Sequence, residues 1–288
     1  MYFKQKYSRA VWAVSSSVAI VLFVLYIIAG KYIPTYPYII PIDMPTNYYF
    51  VVCVLIAIIP PSIIELNNSR WLKQVDKNIP ILMMDITESV RSGMPLTRAL
   101  EVASQREYGP ISGILETAVV NFNLTSDLQA SLKWFGDSLR RPSGKRMATI
   151  LLEANNSGGR MMEVLDTSIN MFTSIDEYKD EKESNISPYI LLVYVSSLIF
   201  LFIGWIVVAQ FLEPLAKQNT SVQGAQNLIG SMLDINYYKS IIFWAAVVEG
   251  AVGGLVAGKI TDSKIASGLI HSVFLIVVTI AFYRIFLP

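Results

Sequence analysis

Charge is missing from most of this 288-residue chain: charged side chains make up 16% of it, against about 25% in an ordinary soluble domain. Cysteine occurs once, at Cys53 inside an apolar stretch, which excludes a disulfide framework or a thiolate metal site within one chain. Cys53 is expected simply to pack among helices or lipid. Histidine also occurs once, at His271, so metal catalysis lacks ligands, and a sensor kinase lacks a phosphoacceptor in the charged block. A formal net charge of +1 excludes a nucleic-acid-binding arm. Strand-like alternation of useful length is absent, which leaves an all-α chain.

What is present is a pattern of uncharged runs around one charged block. Ala10–Gly30 and Met44–Ile64 each hold 21 residues without an ionisable acid or base, and Ser184–Leu212 holds 29. Ser240–Gly258 and Ile265–Tyr283 add 19 each, the first containing a single acid, Glu249. A helix needs about 20 predominantly apolar residues to cross the hydrocarbon layer. The pattern therefore predicts a polytopic membrane protein with about five transmembrane helices. Of the charged side chains, 14 basic and 16 acidic ones lie between Asn67 and Ser187, a block that requires water. The expected organisation is two spans over residues 1–66, a cytoplasmic helical module over 67–187 and three spans over 188–288.

The first apolar run exceeds the roughly 7–15 residues of a signal-peptide core and lacks a small-x-small cleavage site, so it is expected to be an uncleaved span. A cytoplasmic amino terminus puts Lys4, Lys6, Arg9, the charged block and the Lys259–Lys264 loop inside. The outer loops, Lys31–Tyr49 and Glu213–Lys239, then carry only Lys31, Lys217 and Lys239, in keeping with the positive-inside rule. Five spans place the carboxyl terminus outside, where Asn219-Thr220-Ser221 fits a glycosylation acceptor.

Apolar spacing and punctuation divide the charged block into about six short helices, a bundle of 121 residues with enough material for its own core. The first carries Ile79, Leu82, Ile86 and Val90, with Asn78 as cap and Pro80 in the first turn, and ends at Ser92-Gly93. Pro95 opens the second, with Leu96, Ala99, Leu100 and Ala103 on one face, and Pro110 opens the third. Ser126 with Gln129 forms a capping box for the fourth. The fifth runs from Ser143 through Ala154, and Gly158-Gly159 separates it from a sixth with Met162, Leu165, Ile169 and Phe172. An acidic tail follows from Asp176 to Glu183. Trp71 is expected to mark the exit of the second span, and Pro188 the entry of the third.

Two segments resemble the signature of the type II secretion F-domain family. One runs from Ile79-Pro80-Ile81-Leu82 through Val90-Arg91-Ser92-Gly93-Met94-Pro95-Leu96 to Ala99-Leu100. The other is Leu152-Glu153-Ala154, Ser157-Gly158-Gly159-Arg160 and Glu163-Val164-Leu165. Glu249 to Ile260 and Ser267 to Ser272 resemble the carboxyl end of the archaeal branch. Together the resemblance covers the chain from about residue 70 onward. It implies a non-enzymatic platform, without cofactor, that sits under a growing pilus-like filament and is moved by a cytoplasmic hexameric secretion ATPase. Pilin-like filament subunits are the implied cargo. Many relatives carry two copies of the module and this chain shows one, so a homodimer or a second single-module subunit would restore the pair.

Several residues carry competing readings. Ser92-Gly93 ends a helix, and Gly158-Gly159-Arg160 is a sharp turn or a hinge; its spacing is not that of a phosphate loop. Arg140, Arg141, Lys145 and Arg146, and separately Asp176, Glu177, Asp180, Glu181 and Glu183, are either solvated faces or contacts for the ATPase. Glu249 forms an interhelical hydrogen bond or handles the filament subunit. Gly250, Gly254 and Gly258 present a flat face to another helix, in this chain or a sister chain. Ser267 and His271 share a face but lack an acid to orient a base, so they are not a hydrolase pair. Glu153-Ala154 followed by Gly158 or Gly159 is similar to the ATPase-coupling loop of ATP-driven permeases, the alternative reading, although that loop normally joins neighbouring spans with about 30 residues and here lies in a 121-residue module.

Overall fold

The computed structural model describes residues 5–29, 40–214, 235–262 and 264–286. Lys4, Lys31, Lys217 and the Asn219 acceptor lie outside them. Among the described residues the regular elements are all helical. They are α1 (Gln5–Ile28), α2 (Met44–Arg91), α3 (Leu96–Ser104), α4 (Ser112–Thr125), α5 (Leu128–Ser138), α6 (Pro142–Asn156), α7 (Met161–Ile206), α8 (Ile235–Asp262) and α9 (Leu269–Phe286). A π-helical segment, Val207–Leu212, follows α7, and short 3-10 turns occupy Gly109–Ile111, Gly158–Arg160 and Ile265–Gly268.

Five of these helical stretches are long and apolar enough to cross a membrane: Lys6–Ile28, Met44–Arg91, Gly158–Leu212, Ile235–Asp262 and Ile265–Phe286. The chain is an all-α, multi-pass membrane protein. It divides into two compact units, one built on Asn67–Ser184 and one on Phe3–Leu66 with Asn185–Pro288.

The first unit is a six-helix bundle made of the later part of α2, α3 to α6, and the first part of α7. Its core contains Ile79, Leu82 and Ile86 of α2, Leu96, Ala99, Leu100 and Ala103 of α3, and Phe135, Met147, Leu151 and Leu165 from the remaining helices. Full burial of one such side chain stabilises by about 1.5–3 kcal/mol. The α5–α6 pair closes at two glycines. A Cβ on Gly136 would lie 2.8 Å from that of Ala148, and one on Gly144 would lie 2.7 Å from that of Leu139. Neither glycine stands out in the sequence, yet their approach sets where the start of α6 lies.

The sequence predicts a separate helix starting at Asn78, but α2 runs without a break from Met44 to Arg91. Proline removes one backbone donor and crowds the preceding turn, which bends a helix without ending it when packing holds both flanks. Val75, Ile79, Leu82 and Met83 are all fully buried around Pro80. Asn78 does not cap; its side-chain amide donates to the Gln74 carbonyl at 2.9 Å, one turn back. Pro188 likewise lies inside α7, with exposed residues on either side of it, so the sixth module helix, the acidic run and the third span form one helix.

Two caps also differ from expectation. Ser126 is the left-handed residue that closes α4, with φ 55°, and the cap of α5 is Asp127, whose carboxylate accepts from the Ala130 amide at 2.9 Å. An aspartate caps as well as a serine, and Ser126 is already committed to ending the previous helix. The α2 terminus does stop at Ser92-Gly93. There the Gly93 amide donates to the Val90 carbonyl at 2.9 Å and the Met94 amide to Ser89 at 3.2 Å, with Gly93 at φ 94°, the pattern of a Schellman turn.

The second unit packs α1, the first part of α2, the later part of α7, α8 and α9. Its core is Val51, Leu55, Leu201, Val208, Phe243, Ala246, Val247, Ile276 and Tyr283. Asn47 is fully buried; its amide donates to the Pro41 carbonyl at 3.0 Å and to Ser240 Oγ at 2.8 Å, while its oxygen accepts from Trp244 Nε1 at 2.8 Å. This network ties the start of α2 to α8 with Asn47 fully satisfied, as burial of an amide demands.

Candidate functional site

The most highly connected charge in the helical bundle is Asp76 of α2, with only 9% of its surface exposed. It accepts from the Arg141 guanidinium and from the Ser143 hydroxyl, both at the entry to α6, and Lys179 Nζ of α7 lies 3.4 Å away. Burial pushes the Asp76 carboxyl upward, but the hydrogen bonds from Arg141 and Ser143 and the charges of Arg141 and Lys179 outweigh it and hold the group below its ordinary range. One carboxylate thereby joins three elements distant in sequence.

Around this joint lies a cleft of about 180 Å³. Pro80, Pro142, Phe172 and Ile175 form its apolar walls, and Arg146 and Asp176 are charged side chains at its edge. The two charge clusters that the sequence suggests as contacts therefore meet in part: Arg141 and Arg146 from one, Asp176 from the other, with Pro80 of the family motif beside them. Arg141 is spent internally on Asp76. Lys145 turns away to Asp137 at 2.9 Å. Arg140 adopts a left-handed backbone (φ 55°), and Glu177 and Asp180 are exposed on α7 but do not line the cleft. Burial and then the nearby Asp180 charge push the Asp176 carboxyl upward.

The remaining motif residues have structural positions. Ser92 and Gly93 form the α2–α3 corner, where Ser92 Oγ donates to the Ser89 carbonyl at 2.6 Å. Pro95 precedes α3, and Leu96 and Ala99 are in the core. Gly158, Gly159 and Arg160 form the 3-10 turn before α7, and Leu165 is fully buried. Sequence reasoning missed a second polar cluster: Tyr108 donates to Asp85 at 2.5 Å, and Arg106 pairs with the same carboxylate at 2.9 Å. Arg106 and Tyr108 lie 21 and 23 residues after Asp85, so spacing carries no signal.

In the membrane-spanning unit, Gly250, Gly254 and Gly258 face the chain's own α9 region. A Cβ on Gly254 would overlap the Ser272 backbone, and one on Gly258 would overlap Gly268. Ser272 Oγ completes the seam by donating to the Ala251 carbonyl at 2.7 Å. Glu249 accepts from Ser197 Oγ of α7 at 2.8 Å, and three residues away on α7 the Tyr194 hydroxyl pairs with His271 Nδ1 at 2.6 Å. Ser267 Oγ is buried without a hydrogen-bond partner among the described residues.

With these positions established, residues 84–209 match the family "Type II secretion system (T2SS), protein F". Residues 84–209 therefore carry a type II secretion F domain. The matched F domain starts in α2 after Pro80 and ends within the π-helical segment, so it includes the Ser92–Ala99 corner and the Gly158–Leu165 segment but not Glu249 or the glycine seam. The chain is also similar to an uncharacterized protein of Methanocaldococcus jannaschii, with 26% identity over 218 residues, covering 74% of this chain. The match spans 34% of that relative, so this chain accounts for about a third of its length. No solved structure matches the chain at a significant level.

Proposed function

We propose that this chain is the membrane platform of a pilus-like filament machine of the archaeal type, and that it couples a cytoplasmic secretion ATPase to the insertion or extraction of pilin-like subunits. The observation that carries this reading is an F domain whose first and last helices, α2 and α7, are the same helices that supply two of the five apolar spans. A push on the bundle is then transmitted along unbroken helix. The resemblance of the carboxyl end to the archaeal branch, and the archaeal source of the relative, support the archaeal type.

In this reading the amino terminus and the bundle are cytoplasmic and the carboxyl terminus is external. The ATPase contacts the bundle through the charged surface of Arg140, Arg141, Lys145 and Arg146 with Asp176, Glu177 and Asp180. Arg146 and Asp176 carry most of the contact, because they reach the cleft and no ion pair among the described residues engages them. A homodimer, or a second single-module subunit, completes the platform. Deleting the gene tests this: surface filaments are lost and solute uptake is intact. Lost uptake with filaments retained would point instead to a permease.

A further inference from the structure

We propose that a groove between α1, α2 and α8 in the membrane-spanning unit binds a hydrocarbon tail of a membrane lipid, a site on which the platform reading does not depend.

The groove has a volume of about 330 Å³, and α1 and α2 form its two sides while Trp244 of α8 joins them. It stays open because α1 is fastened to α2 toward both of its ends. At one, Ser15 Oγ donates to the Ala57 carbonyl at 3.0 Å. At the other, the Phe23 and Phe50 rings meet with centroids 4.7 Å apart, and the Tyr49 hydroxyl donates to the Leu22 carbonyl at 3.1 Å. Between these contacts the facing side chains of Ser16, Ala19, Cys53 and Ala57 are short and leave space between the helices.

The occupant follows from the chemistry of the walls and from where the groove opens. Ser16 holds the only hydroxyl among the lining residues, Cys53 is a weak donor, and the Trp244 indole N–H is already given to Asn47 Oδ1 at 2.8 Å. A buried water needs about two to four polar partners, whereas an apolar cavity of about 150 Å³ stays dry and takes up a hydrocarbon such as benzene. The larger apolar volume here suits hydrocarbon and not water. At the rim, Ile20, Phe23 and Val54 are exposed by 62%, 37% and 40%, and all lie in helical stretches long and apolar enough to span the membrane. The groove is thus continuous with the surface that faces lipid, and the tails of the bilayer reach it without crossing a polar layer. A partner helix is too wide. The groove runs from Ser16 to Phe23 and from Phe50 to Ala57, about 10 Å of each helix, and a helix about 10–12 Å across would need more than about twice the volume over that length.

The test places the full chain in vesicles of phosphatidylcholine whose tails are either plain or brominated at mid-chain. The chain carries Trp12→Phe, Trp71→Phe, Trp134→Phe and Trp205→Phe, so that Trp244 is its one tryptophan; bromine quenches an indole only at short range. Emission falls at least twofold in the brominated lipid, and Ala57→Phe, which fills the groove, returns it to the level of the plain lipid. Equal emission of the unfilled chain in both lipids, or a twofold loss that persists in Ala57→Phe, overturns the proposal. A chain with all its tryptophans gives a readout that those substitutions cannot disturb. Purified from its native membranes and examined by native mass spectrometry after detergent exchange, it retains one lipid, and Ala57→Phe at equal melting temperature retains none. No retained lipid, or equal retention in both chains, overturns the proposal as well. So does a filament-subunit polypeptide retained in place of lipid and lost in Ala57→Phe, which would assign the groove to a protein helix.

Discussion

Arg141, at the entry to α6, donates to the carboxylate of Asp76 on α2, 65 residues earlier in the chain. The contact is largely buried, with 29% of the arginine side chain and 9% of the aspartate exposed. Breaking such a pair on one side leaves a charge without its partner, whereas replacing both sides with apolar groups removes the problem.

Asp76→Ala is accordingly expected to destabilise the chain by about 3 kcal/mol, and Asp76→Leu with Arg141→Met to recover most of that loss. Denaturant titration of the full chain in detergent, followed by circular dichroism, measures both. The pH dependence has a definite sign. Because the folded-state carboxyl is held below its ordinary value of 3.8, its contribution is complete above that pH and is lost as pH falls through the lowered value. The stability gap between the native sequence and Asp76→Asn should be constant near neutrality and narrow only in strong acid.

Tyr108 makes the opposite prediction at the alkaline end. Burial, then the hydrogen bond to Asp85 and its charge, push the phenol up to about 12. Its contribution is full below the ordinary value of 10.0 and is lost as pH rises through about 12. Tyr108→Phe should cost about 1–2 kcal/mol near neutral pH. In a tyrosinate absorbance titration, the difference between native protein and this variant should appear near pH 12.

Gly254→Ala tests the α8–α9 seam. The added methyl meets the backbone of Ser272, which cannot rotate aside as a side chain would, so the helices must separate. A cost of about 3 kcal/mol and a lower melting temperature in detergent are expected. Gly159→Ala is the control, since its Cβ meets nothing within 4 Å. Its melting temperature should stay the same or rise slightly, because alanine reduces the freedom of the unfolded chain.

These outcomes bear on what the sequence can and cannot reveal. The spans were legible because charge in lipid is prohibited over a whole helix length, a constraint written into every residue of the run. The bundle core was legible for a similar reason: Ile79, Leu82 and Ile86, or Leu96, Ala99 and Leu100, recur at helical spacing because one face must be buried. Punctuation was less reliable. Pro80 and Pro188 look like boundaries, but each removes a single hydrogen bond, and the helix continues through both. Pairings such as Asp76 with Arg141, Asp85 with Tyr108, or Glu249 with Ser197 left no trace in spacing, because only the tertiary fold brings those residues together. The glycine contact between α5 and α6 was hidden for the same reason, while the Gly250–Gly254–Gly258 repeat announced close packing without naming its partner.

The central claim is that the bundle receives the action of a secretion ATPase. The most direct measurement is the amount of that ATPase retained when the full chain is purified from its native membranes, compared with the double substitution Arg146→Glu and Asp176→Lys. The account predicts clear retention by the native chain and a loss of at least tenfold in the double variant, at equal abundance and melting temperature. Purification of the native chain with no ATPase attached would contradict it.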